Sequence, residues 1–397
     1  MSDTQKHTKP NVPNLRFPGF SDEWESRKIG EDCAVYMCKR IFANQTSDQG
    51  DVPFFKIGTI GGTPDAYISK DLFEEYRAKY NYPRKGEVMI TCAGTVGKTI
   101  VFDGEDAYFQ DSNIVWLSNP KQLYINPFLN YVLSRVNWNK LNSTTITRIY
   151  NENLRELVIN FPTVKEQEKV VALLSILDKR IAIQNKVIED LITLEKEIIN
   201  HVFKTLNTVS QPLSIISERV TARNTNALCN NVLTISARDG LISQLDFFNK
   251  SVASHNLSNY ILLKKGDFAY NKSYSADHPW GAIKHLEIYE EGVLSPLYFC
   301  FRPLKDHIDT EYLQLYFETD LWHKHISDIS VEGARNHGLL NMPVGDFMAL
   351  PVPVPELNIQ HDIARSLKSL RNKKSNERKY REFLLRQKTY LLSHLFL

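Results

Sequence analysis

Residues 162–203 begin Pro162-Thr163-Val164-Lys165-Glu166-Gln167 and end His201-Val202-Phe203. Residues 355–396 begin Pro355-Glu356-Leu357-Asn358-Ile359-Gln360 and end His394-Leu395-Phe396. At a shift of 193 positions the two stretches align without a gap. Pro162 meets Pro355, Gln167 meets Gln360, and Leu174 meets Leu367. Leu191 meets Leu384, His201 meets His394, and Phe203 meets Phe396. Agreement along one offset marks an internal duplication. In the first copy Val170, Leu177, Leu191 and Ile198 fall on a seven-residue repeat. The second copy keeps Ile363, Leu370, Leu384 and Leu391 at the same places. Such spacing predicts two helices that pack lengthwise, each roughly 60 Å long at about 1.5 Å per residue. Pro-containing segments before each stretch mark the helix starts.

Outward from the helices the repetition weakens. Lys85-Gly86-Glu87-Val88-Met89 echoes Lys265-Gly266-Asp267-Phe268-Ala269 at an offset of 180, and the segment from Ile125 echoes that from Ile308 at 183. Insertions have therefore separated the globular parts. Val88–Thr91, Thr99–Phe102, Ile114–Leu117, Val232–Ile235 and Leu297–Phe301 read as strands, and Pro127–Ser134 and Thr310–Thr319 as helices. The fold class is α+β: two mixed domains separated by two long antiparallel helices that form a coiled coil, with a pseudo-twofold internal repeat. The expected boundaries are 1–160 for the first domain, 161–207 for the first long helix, 208–352 for the second domain and 353–397 for the second long helix.

Composition narrows the class of protein. A 42% hydrophobic content supports filled cores, and a net charge of +2 favours no partner by itself. Cys33, Cys38, Cys92, Cys229 and Cys300 are odd in number and scattered, as expected of thiols in a reducing cytosol. The polar start Met1–His7 lacks the apolar stretch of a signal peptide, and no apolar run approaches the roughly 20 residues that span a bilayer. A cytoplasmic location is expected.

Catalytic motifs are defective or absent. Cys92-Ala93-Gly94-Thr95-Val96-Gly97-Lys98-Thr99 approaches a phosphate-binding loop, but Cys92 replaces its first glycine and a strand pattern follows where a helix should. A glycine-rich turn between strands is the better reading. Asn126-Pro127-Phe128 lacks the second proline of a methyltransferase motif and suits a helix start with Pro at its first position. His323 and His325 have no further ligands close in sequence. The chain reads as one without an active site of its own.

Binding signals are more numerous. Between Arg365 and Lys388 the second helix carries ten basic residues against Glu377 and Glu382, a net +8, while the matching stretch of the first helix is near neutral. A solvated face and a phosphate or acidic-partner contact both account for that charge. Polar loops in the domains hold residue types that reach bases and phosphates: Thr95, Lys98, Thr145 and Arg148 in the first, and Asn271, Lys272, Tyr274, Arg335 and Asn336 in the second. These nine are the candidate DNA-contacting residues.

Together these segments resemble the specificity subunit of type I restriction–modification enzymes. The resemblance rests on Leu15-Arg16-Phe17-Pro18-Gly19-Phe20 with Trp24 and Ile29-Gly30, on Lys85–Ile90 continuing through Gly94–Lys98, and on Pro162–Gln167 with its repeat Pro355–Gln360. Ile359 departs from the acidic residue usual before the glutamine. The resemblance implies two target-recognition domains, each reading half of a split double-stranded DNA target. It also implies two modification subunits docked on the helices to methylate adenine, and two restriction subunits for cleavage. S-adenosylmethionine, ATP and magnesium would belong to those partners, and this chain would be non-catalytic. A stand-alone methyltransferase or nucleotide hydrolase, and a protein-binding scaffold without nucleic acid, are the competing readings.

Overall fold

A computed structural model of the chain describes residues 11–140, 148–225, 229–236, 240–248, 256–273, 278–330 and 340–397. Candidates Thr145, Tyr274, Arg335 and Asn336 lie outside the described residues. The chain divides into two compact units. Unit 1 comprises the residues up to Asn185 together with Tyr380–Leu397, and unit 2 comprises Lys186–Lys379.

Unit 1 is built on a four-stranded antiparallel sheet of β1 (Ala34–Met37), β2 (Val88–Thr91), β3 (Thr99–Val101) and β4 (Ile114–Ser118), in the order β1-β4-β2-β3. Val88 lies opposite both Val101 and Leu117. All four residues of β2 are buried, which explains its unbroken apolar run. Unit 2 repeats the plan with β5 (Ser217–Arg219), β6 (Phe268–Asn271), β7 (Ala282–His285) and β8 (Phe299–Pro303), in the order β5-β8-β6-β7. Phe268 is placed as Val88 is, opposite His285 and Phe301. The Lys-Gly-acid echo proves to be a turn before the central strand. Gly86 and Gly266 have φ of 89° and 91°, a region that penalises any β-carbon. The buried carboxylates of Glu87 and Asp267 accept hydrogen bonds at 2.8 Å from the backbone N–H groups of Arg84 and Lys264.

The units differ in their smaller sheets. Unit 1 adds Val52–Phe55, paired antiparallel with Tyr67–Ile68 and parallel with Tyr108–Phe109. Unit 2 instead adds two antiparallel pairs, Leu233–Ser236 with Gly240–Ser243 and Ile261–Lys264 with Glu291–Leu294. The largest drift in offset, from 183 to 193, falls between Ile308 and Pro355, beyond these added strands.

The long helices are α2 (Val164–Thr205) and α4 (Leu357–His394). Two shorter ones, α1 (Asn126–Ser134) and α3 (Thr310–Phe317), occupy matching places beside the two main sheets. Each unit contains the start of one long helix and the end of the other. In unit 1, Val170 and Leu174 share a core with Leu395 and Phe396, and Asp178 pairs with Lys388. In unit 2, Ile199 and Phe203 share a core with Leu367, and Glu195 pairs with Arg371 at 2.7 Å and with Lys374. Residue numbers rise along one helix as they fall along the other, so the segments are antiparallel in both units. The aromatic packing is duplicated too: Phe396 lies 5.2 Å from Phe128 of α1, and Phe203 lies 5.2 Å from Tyr312 of α3.

Gln167 and Gln360 are fully buried. Gln167 accepts from the N–H of Ile125 at 2.8 Å and donates to the carbonyls of Leu123 and Pro162. Gln360 accepts from the N–H of Asp309 at 2.8 Å and donates to the carbonyls of His307 and Pro355. These partners correct the sequence alignment by one residue. The cap of α1 is Ile125 and that of α3 is Asp309, so the equivalent of Ile125 is Asp309 and not Ile308. Asp309 caps its helix by accepting from Tyr312 N–H at 2.9 Å, a local gain that the identity at Ile308 does not reveal.

Candidate nucleic-acid interface

In unit 1 the glycine-rich segment is a tight turn joining the antiparallel strands β2 and β3. No helix follows it, so the amide cradle of a phosphate-binding loop is not formed. Thr91 organises the turn. Its backbone N–H donates to Lys98 at 3.0 Å, its carbonyl accepts from Gly97 N–H at 2.8 Å, and its hydroxyl accepts from Lys98 N–H and donates to the Thr95 carbonyl. Gly94 and Gly97 take φ of 64° and 83°. Gly97 also lies directly against the indole of Trp138.

Two further segments are laced to this turn. Cys92 N–H donates to the Asn113 carbonyl at 2.7 Å, and the Cys92 carbonyl accepts from Ile149 N–H at 2.9 Å. Arg148 donates to the carbonyl of Ser112 at 3.2 Å. Ser112 holds a left-handed backbone (φ 54°) and thereby directs its carbonyl. Three of the candidates, Thr95, Lys98 and Arg148, therefore meet on one surface of unit 1. Thr95 and Lys98 are exposed and Arg148 is half-buried. The Lys98 ammonium donates to the carbonyl of Ile60, which holds its charge beside the turn. A polar, cationic surface of this kind suits phosphate and base-edge contacts.

In unit 2 the corresponding segment leaves the central strand at Asn271, which pairs with Ala282 and whose side chain accepts from Ser273 N–H at 3.0 Å. Lys272 is anchored by its carbonyl, which accepts from Leu340 N–H at 2.9 Å, and its ammonium lies 4.4 Å from the centre of the Phe299 ring. Burial pushes the Lys272 ammonium below the usual lysine range. Its charge is thus partly sheltered by the aromatic face. Gly281 closes the segment with φ 76°, its Cα so close to the Asn271 carbonyl that a β-carbon would stand 2.0 Å from that oxygen.

Trp138, Ser112 and Asn113 shape this surface and were not among the candidates. Their roles depend on chain segments far apart in sequence, and only the glycine at position 97 hinted that something bulky approaches the turn. All five cysteines are buried, and burial raises the Cys92 thiol to about 11, as expected of a core thiol.

The ten basic residues of α4 separate into groups. Arg371 bridges Glu195 and Glu318, Lys374 pairs with Glu195, Lys388 pairs with Asp178, and Arg365 pairs with Asp362 of its own helix. Lys368, Lys373, Arg378, Lys379 and Arg386 are exposed, and Arg381 is half-buried. Part of the charge therefore holds the helices in their units, and part faces solvent.

The type I restriction modification DNA specificity domain family matches residues 21–193. A putative type I restriction enzyme specificity subunit of Haemophilus influenzae is 48% identical over 164 residues, covering 41% of this chain and 42% of that protein. A putative type I restriction enzyme MjaX specificity subunit of Methanocaldococcus jannaschii is 23% identical over 214 residues, half of each chain. The matches thus span half or less of these curated relatives. Among solved structures, the type I restriction–modification S subunit from M. genitalium superposes with a TM-score of 0.57 at 17% identity, covering 97% of this chain and 99% of that one. A chain from a structure of the type I R-M system gives 0.54 at 15% identity, with the same coverage. These likenesses show that the architecture is shared along the whole chain. Among the described residues, no helix is long and apolar enough to cross a membrane.

Proposed function

We propose, from the match of residues 21–193 to the type I restriction modification DNA specificity domain family, that both units read DNA and that each recognises one half of a split target. The observation that carries the reading is the repetition of the matched domain's plan in unit 2: the same sheet order, the same buried glutamine and the same aromatic contact. The smaller sheets differ between the units, so the two half-targets differ in sequence. Thr95, Lys98 and Arg148 would touch DNA in unit 1, and Asn271 with Lys272 in unit 2. Thr145, Tyr274, Arg335 and Asn336 complete the proposed set.

The chain would itself be non-catalytic and cytoplasmic. Two modification subunits, bearing S-adenosylmethionine, would methylate adenines, and two restriction subunits, using ATP and magnesium, would cleave. A base to be methylated must leave the stack, and a reader seated firmly beside it lowers the cost of that step. Half-sites about one helical turn, roughly 34 Å, apart would present the same DNA face to both readers.

Sequencing methylated adenines in cells with and without the gene tests the reading. A split motif should lose its methylation on deletion. If every methylated motif persists, the chain does not direct methylation. A scaffold without nucleic acid would leave the methylation pattern unchanged as well, and would show no salt-dependent binding of any duplex.

A further inference from the structure

Unit 2 holds a concave pocket of about 280 Å³, lined from β7, α3 and the N-terminal half of α4. Neither Asn271 nor Lys272 borders it. Lys284, Lys368 and Arg371 bring cations to the pocket, and Glu287, Glu311 and Glu318 bring carboxylates. The numbers balance but the commitments do not. Glu311 faces His285 at 3.6 Å, and Glu318 accepts from Arg371 and, at 3.3 Å, from Gln314. Arg371 also donates to Glu195 at 2.7 Å. Glu287 is exposed to solvent. Lys284 is half-buried, yet among the described residues its ammonium has no hydrogen bond and no ion pair. A charge withdrawn from water without a partner costs free energy, and burial pushes the Lys284 ammonium below the usual lysine range.

The internal repeat shows that the fold does not impose this cost. In unit 1 Ile100 pairs with Met89 as Lys284 pairs with Ala269 in unit 2. The helix offset of 193 sets Ser175 against Lys368 and Asp178 against Arg371. The Arg371–Glu195 pair has its counterpart in Asp178–Lys388 with the two charges exchanged, so that pair serves the helices in both units. Lys284 and Lys368 have no such counterpart, since isoleucine and serine stand in their places. Unit 1 keeps the same sheet order and the same aromatic contact without them.

The chemistry of the free donors narrows the ligand. Two ammonium groups on flexible stems act as separate point charges, which suits a compact multivalent anion such as a phosphate group. Arg371 has already given Nε and one terminal nitrogen to carboxylates, so its planar fork is not free for a ligand carboxylate. Leu315 and Leu367 add an apolar wall that a bare phosphate ion would leave unused.

We propose that Lys284 and Lys368 line a site in unit 2 for the terminal phosphate of a small phosphomonoester, and that unit 1 has no equivalent of it. The site is independent of DNA reading.

The test is calorimetric titration of the full chain with phenyl phosphate, with benzoate and inorganic phosphate as comparisons. Phenyl phosphate should bind once per chain, and the other two at least about tenfold more weakly. Lys284→Met should weaken phenyl phosphate by at least about tenfold, as expected when a charge-assisted hydrogen bond is lost. Lys368→Ala should weaken it by about threefold, because that side chain is exposed and its charge is screened. The second variant alters only an exposed residue and keeps the proposal testable if the first fails to fold. Acylation of Lys284 by a succinimidyl ester, mapped by mass spectrometry, should slow when phenyl phosphate is present. Absence of binding, or binding that both variants leave unchanged, would overturn the proposal. Benzoate binding as tightly would overturn the choice of phosphate, and inorganic phosphate binding as tightly would assign the site to the free ion. A 20-base-pair duplex that displaces phenyl phosphate, and loses affinity in Lys284→Met, would assign the pocket to the DNA backbone and overturn the proposal.

Discussion

Gly97 and Trp138 are in van der Waals contact through a space that admits no side chain: a β-carbon at position 97 would stand 2.1 Å from the indole Cδ1 and 2.5 Å from Nε1. The backbone there also has φ of +83°, which disfavours a β-carbon on its own account. Gly97→Ala should therefore shift the turn that carries Thr95 and Lys98. The expected outcome is a loss of at least about 1–3 kcal/mol of stability, with weakened binding of the half-target read by unit 1. Denaturant unfolding and half-site competition would check it, and unchanged affinity for that half-target would show that the turn takes no part in reading.

Lys98 and Arg148 offer charge to the same surface. Replacing either with Ala should lower duplex affinity and reduce the slope of log affinity against log salt by about 1, as expected when one phosphate contact is lost. Titrations at several salt concentrations would measure this. An unchanged slope would mean that the residue makes no phosphate contact.

The buried glutamines are expected to be structural. Replacing Gln167 with Ala leaves an N–H and two carbonyls without their fully buried partner, and the same holds for Gln360. Each substitution should cost about 2–4 kcal/mol, since unmet buried groups carry their full desolvation cost. Urea unfolding of both single variants would reveal the loss, and similar losses would confirm that the two sockets are energetically alike.

His285 gives unit 2 a pH dependence. Burial works against its charged form, but the hydrogen bonds to Glu311 and Gln314, with the negative charges of Glu311 and Glu287, outweigh it and leave the imidazole above its ordinary 6.5. Because the folded value is the higher one, the stabilisation is complete below 6.5 and is lost as the pH rises through the raised value. Urea midpoints should fall as the pH rises above 6.5 for the native chain, and His285→Gln should flatten that fall. An equal fall in the variant would place the dependence elsewhere.

Much of the fold was legible in the sequence because helices advertise themselves locally. The seven-residue spacing from Val170 to Ile198 and the constant offset to Ile363 were enough to find α2 and α4. Strands β2, β3 and β4 were equally plain, since each is a short run of apolar and β-branched residues. The pairing of Tyr108–Phe109 with Val52–Phe55 was not, because a two-residue strand has no period to detect. Of the candidate interface, the turn at Thr95 and Lys98 could be seen, but the packing of Trp138 on Gly97 joins segments 41 positions apart. The split of the basic residues of α4 between ion pairs and solvent likewise depends on partners such as Glu195 and Glu318, which no reading of α4 alone supplies.

The matched glutamine sockets make the two helix starts interchangeable joints. A gene broken just before the codon for Gln167 and rejoined just before that for Gln360 would keep the helix in phase and find the same three hydrogen-bonding groups waiting. A shift of one residue at that seam would turn the helix by about 100° and misplace its buried stripe. Exchange of whole domains by recombination at these points is thus mechanically cheap, while small insertions within the helices are not.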